Sequence, residues 1–263
     1  MGSSGVSGPA GLDRVTQTGW RSGLPSLMAS GFGSWWKTKT WWIQSLIWIA
    51  VVNGSLAALI WGDAPDRGTI FTVFGVMTMF AAIAVTIIMQ EVIVGEKRSG
   101  TAAWVLSKPA SRKAFVLSKL VPNSVGVLAT MILIPSAVLL VQLAVAGIDV
   151  DLGPFALGAA VAGLNLLFYL TLSLMLGTLF DSAGPVIAIP LAFAFGQQLL
   201  GGLPIIEYLP WSLLVPIAGS DTSAIGAIIG GQPIQTYGAI VFTAAACVIF
   251  TIVAFWQFER TEL

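Results

Sequence analysis

The chain has 263 residues, of which 56% are hydrophobic and only 9% are charged, and its formal net charge is zero. Soluble domains carry about 25% charged residues, so this composition excludes an ordinary soluble domain and indicates a polytopic membrane protein. A net charge of zero provides no bulk attraction for nucleic acid. The chain has no histidine and a single cysteine, Cys247, which argues against a zinc site and against an enzyme that uses the common general base.

The N-terminal segment is rich in glycine and serine, and we predict a flexible cytoplasmic tail over residues 1–34 and a single transmembrane domain over 35–263. The stretch 35–42, WWKTKTWW, places four tryptophans around two lysines. Tryptophan favours the membrane interface, and lysine side chains extend towards the headgroups. The stretch therefore predicts either a short interfacial helix leading into the first span or an aromatic belt and nothing more.

Six apolar runs reach the roughly 20 residues that a helix needs to cross a bilayer. We predict that they span the membrane at roughly 41–61, 69–94, 114–148, 154–180, 185–201 and 236–258. A further apolar stretch, 203–220, is interrupted by three prolines, which predicts a broken re-entrant or interfacial segment before the last span. The expected fold class is an all-α polytopic membrane protein.

The basic residues predict the orientation of these spans. If both termini are cytoplasmic, eleven of the twelve Lys and Arg residues lie on the cytoplasmic side, and only Arg67 lies outside. The reverse orientation contradicts the positive-inside rule. We therefore expect a multi-pass protein of the cytoplasmic membrane with both termini inside.

One long polar stretch, residues 90–119, interrupts the apolar chain between the second and third predicted spans. It contains half of the basic residues, namely Lys97, Arg98, Lys108, Arg112, Lys113 and Lys119. Two carboxylates, Glu91 and Glu96, lie near its start. The stretch is either a docking element for a cytoplasmic partner or an ordinary basic loop that contacts lipid headgroups.

Within this stretch, residues 101–106 are moderately apolar, which predicts a short amphipathic helix on the membrane surface. Pro109 ends that helix, and either Ala110 or Ser111 can cap a following helix that begins with Arg112.

Several chemical signatures are missing from the sequence. It contains no GxxxxGK[ST] phosphate loop, no TVGYG-like filter and almost no ionisable residue inside the spans. Because ion-driven carriers usually place carboxylates at mid-membrane, we expect the energy to come from a separate cytoplasmic ATPase. The amides of Asn53, Gln197 and Gln198 either line a substrate path or hydrogen-bond a neighbouring helix.

The polar stretch also carries a recognisable order of residues, E-x4-E-x3-G-T-x4-L-S-x-P-x-S-R-x6-K. This order resembles the signature of permease subunits of type-2 ATP-binding-cassette exporters. The resemblance implies that the loop 91–113 seats on the ATPase, with the coupling positions Glu91, Glu96, Gly100, Thr101, Pro109, Ser111 and Arg112, beside Lys97 and Arg98.

The same resemblance implies a subunit of a prokaryotic inner membrane that is not itself an enzyme. Two copies of the ATPase and a second permease copy or homologue are the expected partners, together with membrane lipids. ATP and Mg²⁺ are expected on the ATPase and not on this chain, and no metal site or nucleic-acid partner is expected here. The alternative is a non-transporting membrane anchor for such an ATPase, used in signalling, immunity or assembly of a surface machine.

Overall fold

The computed structural model describes residues 19–62, 66–107, 110–234 and 237–260, and no strand occurs among them. Six helices in this part of the chain are long and apolar enough to cross a membrane. These spans are Thr40–Gly62, Arg67–Arg98, Arg112–Val145, Leu152–Leu179, Ala183–Leu200 and Gly238–Arg260. Each begins and ends within a few residues of the predicted range, so the predicted all-α multi-span fold is confirmed.

The fourth span forms the centre of the bundle. In its most apolar window 78% of the residues are buried, against 22% in the fifth and sixth spans. It packs against the second, fifth and sixth spans. Because the fourth span is surrounded by other helices, it has no amphipathic pattern, whereas the outer spans expose apolar side chains to the surrounding membrane.

An N-terminal helix, Leu24–Trp36, precedes the first span and packs against the third span. The buried Trp35 fixes its position, because its Nε1–H donates a hydrogen bond to Asn123 Oδ1 at 3.0 Å. Residues 24–34 are thus helical and packed, which differs from the flexible tail that we predicted for 1–34. This helix includes only Trp35 and Trp36 of the WWKTKTWW stretch, where we predicted an interfacial helix, and residues 1–18 of the predicted tail lie outside the described residues.

The third span continues across Pro122 and Pro135. Between the two prolines, Leu128–Leu133 forms a π-helical segment, in which the Ile134 N–H donates to the Ala129 carbonyl five residues earlier. Such wide turns are rare in helices and are frequently found at functional sites.

The segment before the last span is broken, as predicted. It consists of a 3-10 helix, Pro204–Tyr208, and two short α-helices, Trp211–Leu214 and Ala224–Ile229. Both α-helices pack onto the second and fourth spans, and Leu213 and Ile225 are completely buried. The prolines thus divide the segment into short helices, and the two α-helices fold back onto the bundle.

Candidate docking site at the basic end of the bundle

The polar stretch folds into a helix end, a short helix and a helix start. The second span ends at Arg98, and Gly100 adopts a left-handed conformation with φ of +72°. A residue other than glycine is strained in this conformation. The next helix, Thr101–Leu106, is called the loop helix below, and it occupies the residues predicted for a surface helix.

Ser111 starts the third span and also joins it to the N-terminal segment. Its Oγ accepts a hydrogen bond from the Ala114 N–H at 3.0 Å, so Ser111 is the cap, one of the two residues predicted for that role. The Ser111 hydroxyl donates to the Trp20 carbonyl, and its N–H donates to the Ser22 carbonyl at 3.0 Å. Pro109, which was predicted to end the loop helix, lies outside the described residues.

Lys97 and Arg98 bind the turn between the fourth and fifth spans. The Lys97 ammonium lies 2.8 Å from the Asp181 carboxylate and donates to the Thr178 carbonyl at 3.2 Å. Arg98 Nε donates to the Asp181 carbonyl at 3.3 Å. A cation at the C-terminus of a helix is favourable because the last carbonyls lack intrahelical partners. Both basic residues that we predicted for partner coupling therefore make contacts within the chain.

Arg112 and Lys113 bind the end of the sixth span. Arg112 Nη1 donates to the carbonyls of Phe258 at 3.3 Å and Glu259 at 3.0 Å. Lys113 Nζ lies 3.1 Å from the Glu259 carboxylate. The start of the third span is therefore tied to the end of the sixth.

A polar chain links the second span to the N-terminal helix. Glu96 forms an ion pair with Lys119 of the third span, and its second carboxylate oxygen is buried without a hydrogen-bond partner. The Lys119 carbonyl accepts from Asn123 Nδ2 at 2.7 Å, and Asn123 in turn accepts from Trp35. This series of polar contacts fixes the N-terminal helix relative to the polar loop.

These contacts gather at one end of the bundle, called the basic end below. It comprises residues 19–22, 96–106, 111–113, 119, 178–181 and 258–260. At the opposite end, Asp66, Arg67, Asp149 and Asp151 line a polar cavity of about 450 Å³. Among the residues that the structure describes, no group of three or more Asp, Glu, Cys or His is arranged to hold a metal ion.

The loop helix packs one face onto the bundle and turns another outwards. Ala102 is buried, whereas Thr101 and Ala103 are exposed and Trp104 is 62% exposed. We did not predict a role for Trp104, although it is the only tryptophan in the stretch 90–119. Exposed tryptophan is enriched at protein contacts and also at the membrane interface, where we predicted this helix to lie.

Two further predicted loop residues, Glu91 and Thr101, lie on the surface. Glu91 is exposed and accepts a hydrogen bond from Gln90 Nε2 at 3.2 Å. The hydroxyls of Thr101 and Ser99 lie 2.8 Å apart, where they bracket Gly100. Ser99 and Thr101 therefore flank the turn that leads into the loop helix.

The amides that we considered for a substrate path make contacts between elements of the bundle. The buried Gln197 donates to the Tyr169 hydroxyl at 3.3 Å and accepts from the Trp211 N–H at 3.0 Å. Asn53 donates to the Pro135 carbonyl at 3.0 Å, and Gln198 is exposed. The contacts of Gln197 and Asn53 favour the interhelical alternative, in which the amides stabilise the packing.

The fold and the basic end define a multi-span helical membrane protein with its ion pairs and a short surface helix at one end. Residues 57–263 match a family described as "Protein of unknown function (DUF2705)". The match covers more than half of the chain, so the chain belongs to the DUF2705 family. No curated protein matches the sequence.

Proposed function

We propose that this chain is the permease subunit of an ATP-driven exporter of the cytoplasmic membrane. In this proposal a separate cytoplasmic ATPase presses on the loop helix and thereby moves the spans. The partner ATPase binds ATP and Mg²⁺, and this chain does not hydrolyse nucleotide. Two ATPase copies and a second permease copy complete the transporter.

The observation that carries the proposal is the set of contacts around the loop helix. The second span is tied to the fourth by Lys97, and the third is tied to the sixth by Arg112. A displacement of the loop helix therefore reaches four spans through contacts that the chain already makes. Such a push supports a rigid-body change between two states, because packed helices move as units.

The charge distribution supports a cytoplasmic location for the basic end. Basic residues such as Lys97, Arg112 and Lys119 lie there, whereas Arg67 lies at the opposite end. Lys and Arg accumulate in the cytoplasmic loops of membrane proteins. In this orientation the exposed Trp104 faces the compartment that contains ATP.

The test compares two tryptophans at opposite ends of the molecule. The tagged full chain is purified in mild detergent from its native membranes, and co-purifying ATPases are identified and assayed. Trp104→Ala is expected to weaken retention of the ATPase by about 2 kcal/mol, or roughly thirtyfold in affinity, as for an interface hot spot. The matched control is Trp61→Ala, whose side chain is 56% exposed.

The proposal predicts an ATPase that is retained by the wild type and by Trp61→Ala and is lost from Trp104→Ala. Equal retention by both variants, or no ATPase with the wild type, contradicts it.

A non-transporting anchor for the same kind of ATPase is the second candidate. It is favoured by the contacts of Gln197 and Asn53, which use buried amides for packing and not for a path through the chain. Reconstituted vesicles separate the two candidates. A permease predicts ATP turnover that rises when transported compounds are added, whereas an anchor predicts turnover that is insensitive to them.

A further inference from the structure

An open groove lies at the basic end, where the third and sixth spans meet the N-terminal segment. It is lined by Trp20, by Lys113 and Leu117 of the third span, and by four residues of the sixth span from Ile252 to Glu259. It is called the interfacial groove below. Its volume is about 510 Å³, within the range of small-molecule sites.

Contacts within the chain hold the walls of the groove in place. The Ser111 hydroxyl donates to the Trp20 carbonyl and so fixes the N-terminal segment against the third span. At the same level, the third and sixth spans are joined by the buried rings of Phe115 and Phe258, which stack with their centroids 5.1 Å apart. The walls are therefore in place before any ligand binds.

The polarity of the groove changes with depth in the membrane. Lys113 and Glu259 lie at its rim, where the third span begins and the sixth span ends. Leu117 lies one helical turn deeper than Lys113, and Ile252 lies about 10 Å deeper than Glu259 along the helix. The groove is thus charged at the membrane surface and apolar inside. A phospholipid has the same order of polarity, with a charged headgroup at one end and acyl chains at the other.

Two tryptophan rings of the groove each carry a guanidinium group. The Arg21 guanidinium carbon lies 4.9 Å from the centroid of the Trp20 ring, and the Arg260 guanidinium carbon lies 4.0 Å from the centroid of the Trp256 ring. Both tryptophans are 51% exposed, and tryptophan rings concentrate at the level of the lipid headgroups. The stacking therefore holds both cations beside the groove at headgroup depth.

The rim of the groove carries a net positive charge. Lys113 and Glu259 neutralise each other, because the Lys113 Nζ lies 3.1 Å from the Glu259 carboxylate. Arg21 and Arg260 are exposed, and neither forms an ion pair within the part of the chain that the structure describes. This excess of two cations favours an anionic headgroup over a zwitterionic one.

The segment that precedes Trp20 in the chain complements the groove less well. Half of residues 1–18 are Gly, Ser or Thr, and the charges of Asp13 and Arg14 cancel. Such a sequence supplies little apolar surface for the inner wall and no net negative charge for the rim. An anionic phospholipid supplies both.

We propose that the interfacial groove binds an anionic phospholipid of the leaflet at the basic end. The headgroup contacts the Arg21 and Arg260 guanidinium groups, and an acyl chain packs along Leu117 and Ile252. The bound lipid thereby joins the N-terminal segment to the ends of the third and sixth spans. The proposal depends on the multi-span fold and on a basic end that lies at the membrane surface, and not on the function proposed above.

Photolabelling tests the proposal with the full chain in phosphatidylcholine vesicles. A trace of phosphatidylglycerol or of phosphatidylcholine carries the same diazirine on one acyl chain, close to the glycerol, and the labelled peptides are mapped. Residues 113–120 and 250–260 are expected to react about 25-fold more with the phosphatidylglycerol probe, because each of the two arginines contributes about fivefold. The exposed face of the fifth span is expected to react equally with both probes.

Two outcomes with the wild type overturn the proposal. Equal labelling of the groove peptides by both probes shows that the rim does not select an anionic headgroup. Groove peptides that stay unlabelled while the fifth span is labelled show that protein covers the groove, either another part of this chain or a second copy.

A pair of charge variants separates the groove from general attraction to the basic side. Arg260→Gln is expected to lower the preference for phosphatidylglycerol about fivefold. The matched control is Lys39→Gln, which removes an exposed cation just before the first span, away from the groove, and is expected to leave the preference unchanged. Equal effects of the two variants overturn the proposal.

A pair of shape variants tests the apolar wall. Ile252 is 60% exposed in the groove, so Ile252→Trp adds a large ring there. The control is Ile189→Trp, at a 42% exposed position of the fifth span. Ile252→Trp is expected to lower labelling of residues 113–120 by the phosphatidylglycerol probe about tenfold, equivalent to 1.4 kcal/mol, and Ile189→Trp to leave it unchanged. Labelling that Ile252→Trp does not reduce contradicts binding in the groove.

Discussion

The two ends of the bundle are held together by different forces. At the basic end, ion pairs and bonds from cations to helix-terminal carbonyls join the loop to four spans. All three ion pairs among the described residues lie there. At the opposite end, the broken segment buries apolar side chains such as Leu213 and Ile225 against the second and fourth spans.

This difference has a mechanical consequence. Ion pairs at a surface are individually weak and can exchange partners, because water and salt compete with them. A close-packed apolar contact tolerates little displacement. We therefore expect the exposed ion pairs at the basic end to rearrange more readily than the close-packed contacts at the opposite end, which keep the spans in register.

The largest expected effect breaks the packing at the opposite end. A Cβ on Gly158 would lie 2.3 Å from Ile229 Cγ1, so Gly158→Leu forces the short helix away from the fourth span. We expect a loss of about 3 kcal/mol of stability, the cost of an overpacked core. The melting temperature in nanodiscs measures it. Gly153→Leu, where a Cβ meets nothing within 4 Å, is the control.

If the steric explanation is correct, Ile229→Ala restores part of the stability of Gly158→Leu. A Gly158→Leu variant as stable as Gly153→Leu contradicts the tight contact.

The second prediction concerns the anchor of the N-terminal helix. Asn123→Leu leaves the buried Nε1–H of Trp35 without an acceptor, which costs about 2 kcal/mol. Hydrogen exchange over Leu24–Trp36 is expected to accelerate. Trp35→Phe removes the donor, so the double variant should lose less than the sum of the two single losses, and strict additivity would show that the bond contributes nothing.

A smaller effect is expected from the pair that joins the second and fourth spans. The Lys97 side chain is 6% exposed, but that of Asp181 is 89% exposed, so solvent screens much of the attraction. Lys97→Met is expected to cost about 1 kcal/mol, seen as roughly fivefold faster exchange of the amides at 178–182. If Lys97→Met folds and its amides at 178–182 exchange at the wild-type rate, Lys97 has no role as a helix-end cap.

The smallest effect is expected from the exposed pair of Lys113 and Glu259. Both side chains are about half exposed, and such pairs contribute about 0–0.5 kcal/mol. Lys113→Ala should leave the melting temperature within error of the wild type at every salt concentration. A large drop in the melting temperature of Lys113→Ala, matched by an equal drop when high salt is added to the wild type, would show that the basic end is more rigid than we infer.

Hydropathy and capping rules were sufficient to predict much of the fold. Each span is an apolar run of the required length, and the loop helix and the Ser111 cap follow from local sequence. An N-terminal helix was expected near residues 35–42, but its start at Leu24 was not, because the sequence ahead of Trp35 contains Gly31 and Gly33, which disfavour an isolated helix. Packing of Trp35 against the third span overrides that preference.

The contacts that define the basic end could not be predicted from the sequence. Lys97 and Asp181 are 84 residues apart, and Arg112 and Phe258 are 146 residues apart. No periodicity connects such positions, because the way helices pack in three dimensions decides which ends meet. The polar loop and the resemblance assigned Lys97, Arg98 and Arg112 to a partner, and that assignment stays a prediction; the structure adds that each also contacts carbonyls or a carboxylate of this chain.

Cross-linking from the loop helix tests the central claim most directly. A photoreactive p-benzoylphenylalanine replaces Trp104 in the full chain in its native cells, and the same substitution at Trp61 serves as the control. We predict that irradiation joins position 104, and not position 61, to a separate ATP-hydrolysing protein. The account is contradicted if position 104 gives no such conjugate, or if both positions give the same one.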